Sequence, residues 1–149
     1  MKPTVPLTPL LYDETIRMAL REDLGRAGDL TTDAVVPADA KATAAIVARR
    51  RGRVAGAEVA ARVFEILDPA TESEVIVASG WDATPDSPLV RLHGPARAVL
   101  TGERTSLNLL GHLSGIATLT RDYVAAVAGT DARVVCTRKT TPGLRALEK

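Results

Sequence analysis

The run Thr137-Arg138-Lys139-Thr140-Thr141-Pro142-Gly143 concentrates two cations and three hydroxyls within seven residues. An arginine grips a carboxylate through parallel N–H donors, whereas a lysine acts as a point charge on a carboxylate or phosphate. The residues just before it predict a short strand, Arg133–Thr137, and Thr141 followed by Pro142 predicts a helix start. The C-terminal end of a parallel strand and the N-terminus of a helix are both places where α/β proteins bind anions. Thr137, Arg138 and Lys139 are therefore candidate anion-binding residues. The alternative is an exposed basic loop beside a capped helix.

Arg104, Asn108 and His112 fall at i, i+4 and i+8 of a helical stretch, with Gly111 and Gly115 beside them. The opposite face is rich in leucine, so a solvated polar stripe is the plainer reading. The glycines cost helix propensity and point instead to close approach of another backbone or a ligand. Arg49-Arg50-Arg51-Gly52-Arg53 has the charge of a nucleic-acid patch but no interleaved aromatic side chains to stack on bases, and reads as a solvated turn. His93 and His112 have no partner at metal-ligand spacing, and no P-loop or dinucleotide glycine loop occurs. A single cysteine, Cys136, excludes an intramolecular disulfide and any multi-cysteine metal site.

The chain that must position these groups has 149 residues, 46% of them hydrophobic, 25% charged and 3% aromatic. That suits one domain, or one domain and a fragment of another. Nineteen Lys and Arg stand against eighteen Asp and Glu, so the net charge of +1 offers no global attraction for nucleic acid or anionic membrane. Arg outnumbers Lys fifteen to four. No apolar run approaches the roughly 18 residues of a membrane-spanning helix. The opening MKPTVPLTPLL lacks the apolar core of a signal peptide, so a cytoplasmic protein is expected, with no membrane or nucleic-acid partner.

Residues 1–8, with Pro3 and Pro6, read as a loose arm. Thr8 and Pro9 suggest a helix start, with Asp13 as a rival cap, and Ile16, Ala19, Leu20 and Leu24 follow at helical spacing up to Gly25. Gly28–Thr32 reads as a turn whose Asp29 and Thr32 side chains bond nearby backbone. Lys41–Arg50 predicts a strand that turns at Gly52 into a hairpin with residues 53–55. Gly56 opens a helix that Pro69 ends. Glu74–Ala78 and Leu89–Leu92 are further strands, separated by a loop over Gly80–Pro88. A helix from Ala96 buries Val99, Leu100, Leu107 and Leu110. Ser114-Gly115 interrupts it, and a second helix carries Ile116, Leu119, Tyr123, Val124 and Val127 on one stripe. The pattern predicts a sheet of roughly four strands packed on helices, with 133–137 standing apart from it. The last helix carries no stop signal, which suggests a chain cut short.

Glu103–Thr118, followed by Thr137–Arg145 and Glu148-Lys149, resembles the nicotinate-nucleotide pyrophosphorylase (carboxylating) family, also called quinolinate phosphoribosyltransferase. Ala19–Gly25, Gly28–Thr32 and Val54-Ala55-Gly56 resemble the family's N-terminal signatures in the same order. The resemblance implies a mixed α/β (α+β) chain: an N-terminal α/β sandwich domain over residues 1–112, serving dimerisation and substrate contact, then the first strand and helix of a truncated α/β barrel over 113–149. It implies a homodimer or a dimer-based hexamer that converts quinolinate and phosphoribosyl pyrophosphate, with Mg²⁺, into nicotinate mononucleotide, pyrophosphate and CO₂ in NAD biosynthesis. Thr137, Arg138 and Lys139 match the family's substrate-binding motif, and Arg104 matches an arginine that reaches into a neighbour's site. The family's remaining His-Arg pair, a later Lys, the Mg²⁺-associated carboxylates and the phosphate loops are expected beyond Lys149, so no catalytic or metal-ligating residue is assigned within the chain and the segment alone is expected to be inactive. The alternatives are a stand-alone dimerisation or anion-binding domain, and the molybdenum-transport-associated homologue that shares parts of the pattern.

Overall fold

Asp13 and Glu14 place negative charge at the start of α1 (Asp13–Leu24), where it complements the unpaired N–H groups of the first turn. Asp13 stands inside this helix, with Tyr12 at the cap, and Thr8-Pro9 opens only one 3-10 turn, Pro9–Leu11. The computed structural model describes residues 7–149, so Pro3 and Pro6 of the expected arm lie outside the described residues. Gly25, at φ 54°, ends α1. The expected turn at 28–32 is the start of a short helix, α2 (Leu30–Val35). Asp29 caps it by accepting from the Thr32 N–H at 3.0 Å, and its other oxygen accepts from the Thr101 hydroxyl at 3.0 Å.

Three strands form one antiparallel sheet: β1 (Lys41–Val47), β3 (Glu72–Val75) and β5 (Pro88–Pro95), in the order β1-β5-β3. The central β5 turns Val90 and Leu92 into the core and Arg91 and His93 outward. Those outward groups pair across the sheet, Thr43 Oγ1 with His93 Nδ1 at 3.0 Å and Arg91 with Glu74 at 3.3 Å. The expected hairpin between β1 and residues 53–55 does not form. β2 (Gly52–Arg53) pairs instead with β4 (Asp82–Ala83), which lies in the stretch expected to be loop. The roughly four-stranded sheet is thus divided into three strands and two.

α3 (Ala57–Leu67) lies between the sheet and α1. Ala57, Ala60, Ala61 and Phe64 join Ile46, Leu89, Val90 and Leu92 in one core cluster, and Val59 and Val63 meet Tyr12, Ile16, Leu20 and Leu109 in a second. Gly56, at φ 83°, starts α3 against Leu113, whose Cδ1 stands 2.6 Å from where a β-carbon would be.

α4 runs unbroken from Ala96 to Ala126. The expected interruption at Ser114-Gly115 is absent because the Ser114 hydroxyl reaches outward, accepting from Ala55 N–H at 3.1 Å and donating to Ala55 O at 3.2 Å. A helical glycine costs only about 1 kcal/mol, which the turns on either side outweigh. One turn on, the Thr118 hydroxyl accepts from Arg53 N–H at 2.9 Å and donates to Arg53 O at 3.4 Å. These two hydroxyls draw residues 53–55 away from β1, and a side chain at Gly52 would meet Thr118 Oγ1 at 2.9 Å. Val99, Leu109, Leu110 and Leu113 are buried, whereas Leu100 and Leu107, expected with them, are exposed. In the second half, Leu119, Tyr123 and Val124 of the expected stripe are exposed as well.

Arg133–Thr137 does not form the expected strand. Among the described residues no strand lies beside it to pair with its N–H and C=O groups, and a strand without a partner leaves its ladder unmade. The helix expected from Thr141 is the single turn α5 (Arg145–Glu148), preceded by a turn in which Gly143 takes φ 85°.

Candidate functional site

The segment 137–141 is tied down by its backbone while its cations remain free. Lys139 N–H donates to Thr137 Oγ1 at 3.0 Å, a local turn of the kind hydroxyl side chains favour. From α5, Arg145 Nε donates to Thr140 Oγ1 at 3.2 Å and Nη2 to the Arg138 carbonyl at 3.5 Å. Glu148 Oε2 accepts from the Thr141 N–H at 3.0 Å. Among the described residues, the Arg138 guanidinium and the Lys139 ammonium make no hydrogen bond or ion pair, and both residues are exposed. An arginine and a lysine side by side on a braced turn have the donor chemistry to take a carboxylate or a phosphate. α5 has only four residues, so the positive field here comes from side chains and not from a helix dipole.

Glu148 also joins this segment to the long helix. Its Oε1 lies 2.8 Å from His112 Nε2, and its side chain is only 8% exposed. His112, followed by Thr141, holds the Glu148 carboxyl below the usual carboxylate range. Of the stripe Arg104, Asn108 and His112, the last therefore faces α5. Arg104 lies eight residues earlier on α4, about 12 Å along the helix axis. Its Nη1 pairs with Asp23 at the end of α1 at 3.1 Å, and its side chain is 76% exposed. The structure does not bring Arg104 into contact with Thr137, Arg138 or Lys139. Asn108 is exposed and, among the described residues, makes no hydrogen bond. Among the described residues, apart from the helix's own backbone and the adjacent residues, nothing lies within 4 Å of a β-carbon placed on Gly111 or Gly115, so the close approach expected there does not occur among them.

Glu148 and Asp23 were not legible as partners of His112 and Arg104. The pairs are separated by 36 and 81 residues, and no local period links them. Arg53 of the arginine run is engaged by Asp82, at 2.8 and 3.2 Å, and Arg121 reaches the same carboxylate at 2.9 Å. Cys136 is an exposed free thiol. Among the described residues, no group of three or more His, Cys, Asp and Glu converges to hold a metal ion, and no helix is long and apolar enough to cross a membrane.

Comparison with known proteins places two family models in tandem on the chain. Residues 29–114 match the N-terminal domain of quinolinate phosphoribosyl transferase, and residues 116–149 match its C-terminal domain. A probable nicotinate-nucleotide pyrophosphorylase [carboxylating] of Synechocystis is 44% identical over 140 residues, covering 94% of this chain and 47% of the relative. The nicotinate-nucleotide pyrophosphorylase [carboxylating] of Mycobacterium leprae is 46% identical over 138 residues, covering 91% and 49%. The crystal structure of NadC from Streptococcus pyogenes superimposes with a TM-score of 0.92 at 37% identity, over 98% of this chain and 52% of that one. The nicotinate-nucleotide pyrophosphorylase of Ehrlichia chaffeensis gives a TM-score of 0.85 at 37% identity, over 100% and 52%. The mixed α/β architecture agrees with these folds. The chain spans about half the length of the curated relatives it matches.

Proposed function

Because this chain belongs to the quinolinate phosphoribosyl transferase family, we propose that it is the N-terminal part of an enzyme that converts quinolinate and phosphoribosyl pyrophosphate into nicotinate mononucleotide, pyrophosphate and CO₂ in NAD biosynthesis. The observation that carries the reading is the identity of 44% and 46% to pyrophosphorylases over more than nine-tenths of the chain. Residues 1–112 are assigned to the sandwich that dimerises and contacts substrate, and 113–149 to the start of the barrel, with α4 continuous between them. Thr137, Arg138 and Lys139 are assigned to substrate binding. The enzyme works in the cytoplasm as a homodimer or a dimer-based hexamer, with Arg104 supplied to the neighbouring protomer.

The chemistry suits these groups. Quinolinate is a dianion with adjacent carboxylates, and free cations on a braced loop orient it as well as attract it. The ring nitrogen forms a bond to the anomeric carbon of the sugar as the bond from that carbon to pyrophosphate breaks. The resulting pyridinium accepts the electron pair left when the 2-carboxylate departs as CO₂, and a proton then takes that position. No covalent nucleophile is needed. Mg²⁺ belongs to the complete enzyme under this proposal; the described residues present no carboxylate cluster that fits it.

The test is an assay for nicotinate mononucleotide. The complete protein is expected to form it from both substrates, while these 149 residues alone are expected to give no turnover, since the loop offers two neighbouring cations and the described residues offer no carboxylate cluster to stabilise departing pyrophosphate. Turnover by the 149-residue chain near that of the complete protein would show that the active site has been misassigned.

A further inference from the structure

We infer that Glu148 and His112 are positioning residues that set the conformation of the 137–141 loop for quinolinate, an inference that rests on the proposed function and assigns two residues to the same site. Among the described residues the Arg138 and Lys139 side chains have no partner, so what the protein fixes is the backbone from which they emerge. That backbone has two anchors on α5, Arg145 at the Arg138 carbonyl and Glu148 at the Thr141 N–H, and Arg145 also holds the Thr140 hydroxyl. The Arg145 contacts are the longer ones, at 3.2 and 3.5 Å, and both come from an exposed side chain.

Glu148 differs from Arg145 in two ways. Its carboxylate is nearly buried, and its second oxygen is committed to α4 through His112 at 2.8 Å. α5 is one turn long and cannot hold itself in place, because an isolated turn has too few hydrogen bonds to offset the entropy of ordering it. Leu147 packs α5 against the cluster of Ile16, Val63 and Leu109, and the His112–Glu148–Thr141 chain ties the loop backbone itself to the 31-residue α4. Neither residue needs to touch substrate. His112 follows Arg104 by two turns of the same helix, so one element carries both the arginine assigned to the neighbour and the anchor of the protomer's own loop.

Two measurements decide the matter. In the complete protein, Glu148→Ala is expected to speed amide hydrogen exchange at Thr141 by about tenfold or more, the loss of one hydrogen bond to a charged acceptor. In the complete protein the same change is expected to raise the KM for quinolinate by about tenfold, with kcat and the KM for phosphoribosyl pyrophosphate within about twofold. Glu148→Gln keeps an oxygen for the Thr141 N–H and an amide for His112, and is expected to recover most of the loss. His112→Ala is expected to move the same two readouts in the same direction, and serves where Glu148→Ala does not fold. Unaltered exchange at Thr141, an unchanged KM for quinolinate in an active enzyme, or equal damage from Ala and Gln would each overturn the positioning role. A wild-type complete protein without activity on quinolinate would instead refute the proposed function, and the exchange measurement would still decide whether the clasp holds the loop.

Discussion

Asp82 accepts hydrogen bonds from Arg53 and from Arg121, and the two guanidiniums hold its carboxyl down at about 2. In the unfolded chain the same group titrates near 3.8. A carboxyl whose folded pKa is depressed contributes stability that is present above the unfolded value and is lost as the pH falls through the folded one. Asp82→Asn is therefore expected to lower stability at neutral pH and to flatten the acid limb between about pH 4 and pH 2. Denaturant titrations at several pH values check this; parallel acid limbs in both proteins would show that the two ion pairs do not report on folding. At the candidate site the same scale divides what was readable from what was not. Arg138, Lys139 and Arg104 stand out in the sequence by residue type, because their donor groups suit an anion whatever their neighbours in the chain. Glu148 does not, because its meaning comes from a histidine 36 residues away that only the fold brings near.

Among the elements, the pairing of α4 with residues 53–55 governs the architecture. Ser114 and Thr118 serve as acceptor and donor for two alternate backbone positions, the work a neighbouring strand would otherwise do. Thr118→Val removes the hydroxyl at nearly constant volume and leaves the part-buried Arg53 N–H without its acceptor. A loss of about 1–3 kcal/mol is expected, with Thr118→Ser retaining most of it, as measured by thermal or denaturant unfolding. The helices α1, α3 and α4 were legible because their apolar spacing is a local property. The strands β2 and β4 were not, because two-residue ladders carry no period and exist only through partners nearly thirty residues apart. The break expected at Ser114-Gly115 rested on local propensity, which the hydrogen bonds to Ala55 override. The stripe of Leu119, Tyr123 and Val124 was read correctly as apolar, yet it has no covering partner within the described residues.

At the scale of the molecule, Arg104 is the residue whose role depends on more than one chain. If it only pairs with Asp23, Arg104→Ala in the complete protein changes stability by about 0–1 kcal/mol, as for an exposed ion pair, and leaves kinetics alone. If it holds a carboxylate in a neighbour's site, the same change lowers kcat/KM by about 10- to 150-fold. Mixing an Arg104→Ala protomer with an Arg138→Ala protomer is expected to restore one working site per heterodimer. Failure of confirmed heterodimers to regain activity would exclude the cross-subunit role. The mixed α/β class was legible at this scale from alternating stretches of strand and helix pattern, while the split of one sheet into two was not.

The central place of β5 also orders events during synthesis. About forty residues separate the end of β1 from the start of β5, its one sheet neighbour among the described residues. At about 5–20 residues per second, β1 leaves the ribosome some 2–8 s before a partner exists. Through that interval an apolar strand is open to pairing with other nascent chains. β1 is built mostly from small residues, begins at Lys41 and is followed by Arg49-Arg50-Arg51, the kind of like charge that keeps exposed strands apart. Like charge at both ends of β1 is expected to disfavour pairing between unfinished chains until Pro95 has been added.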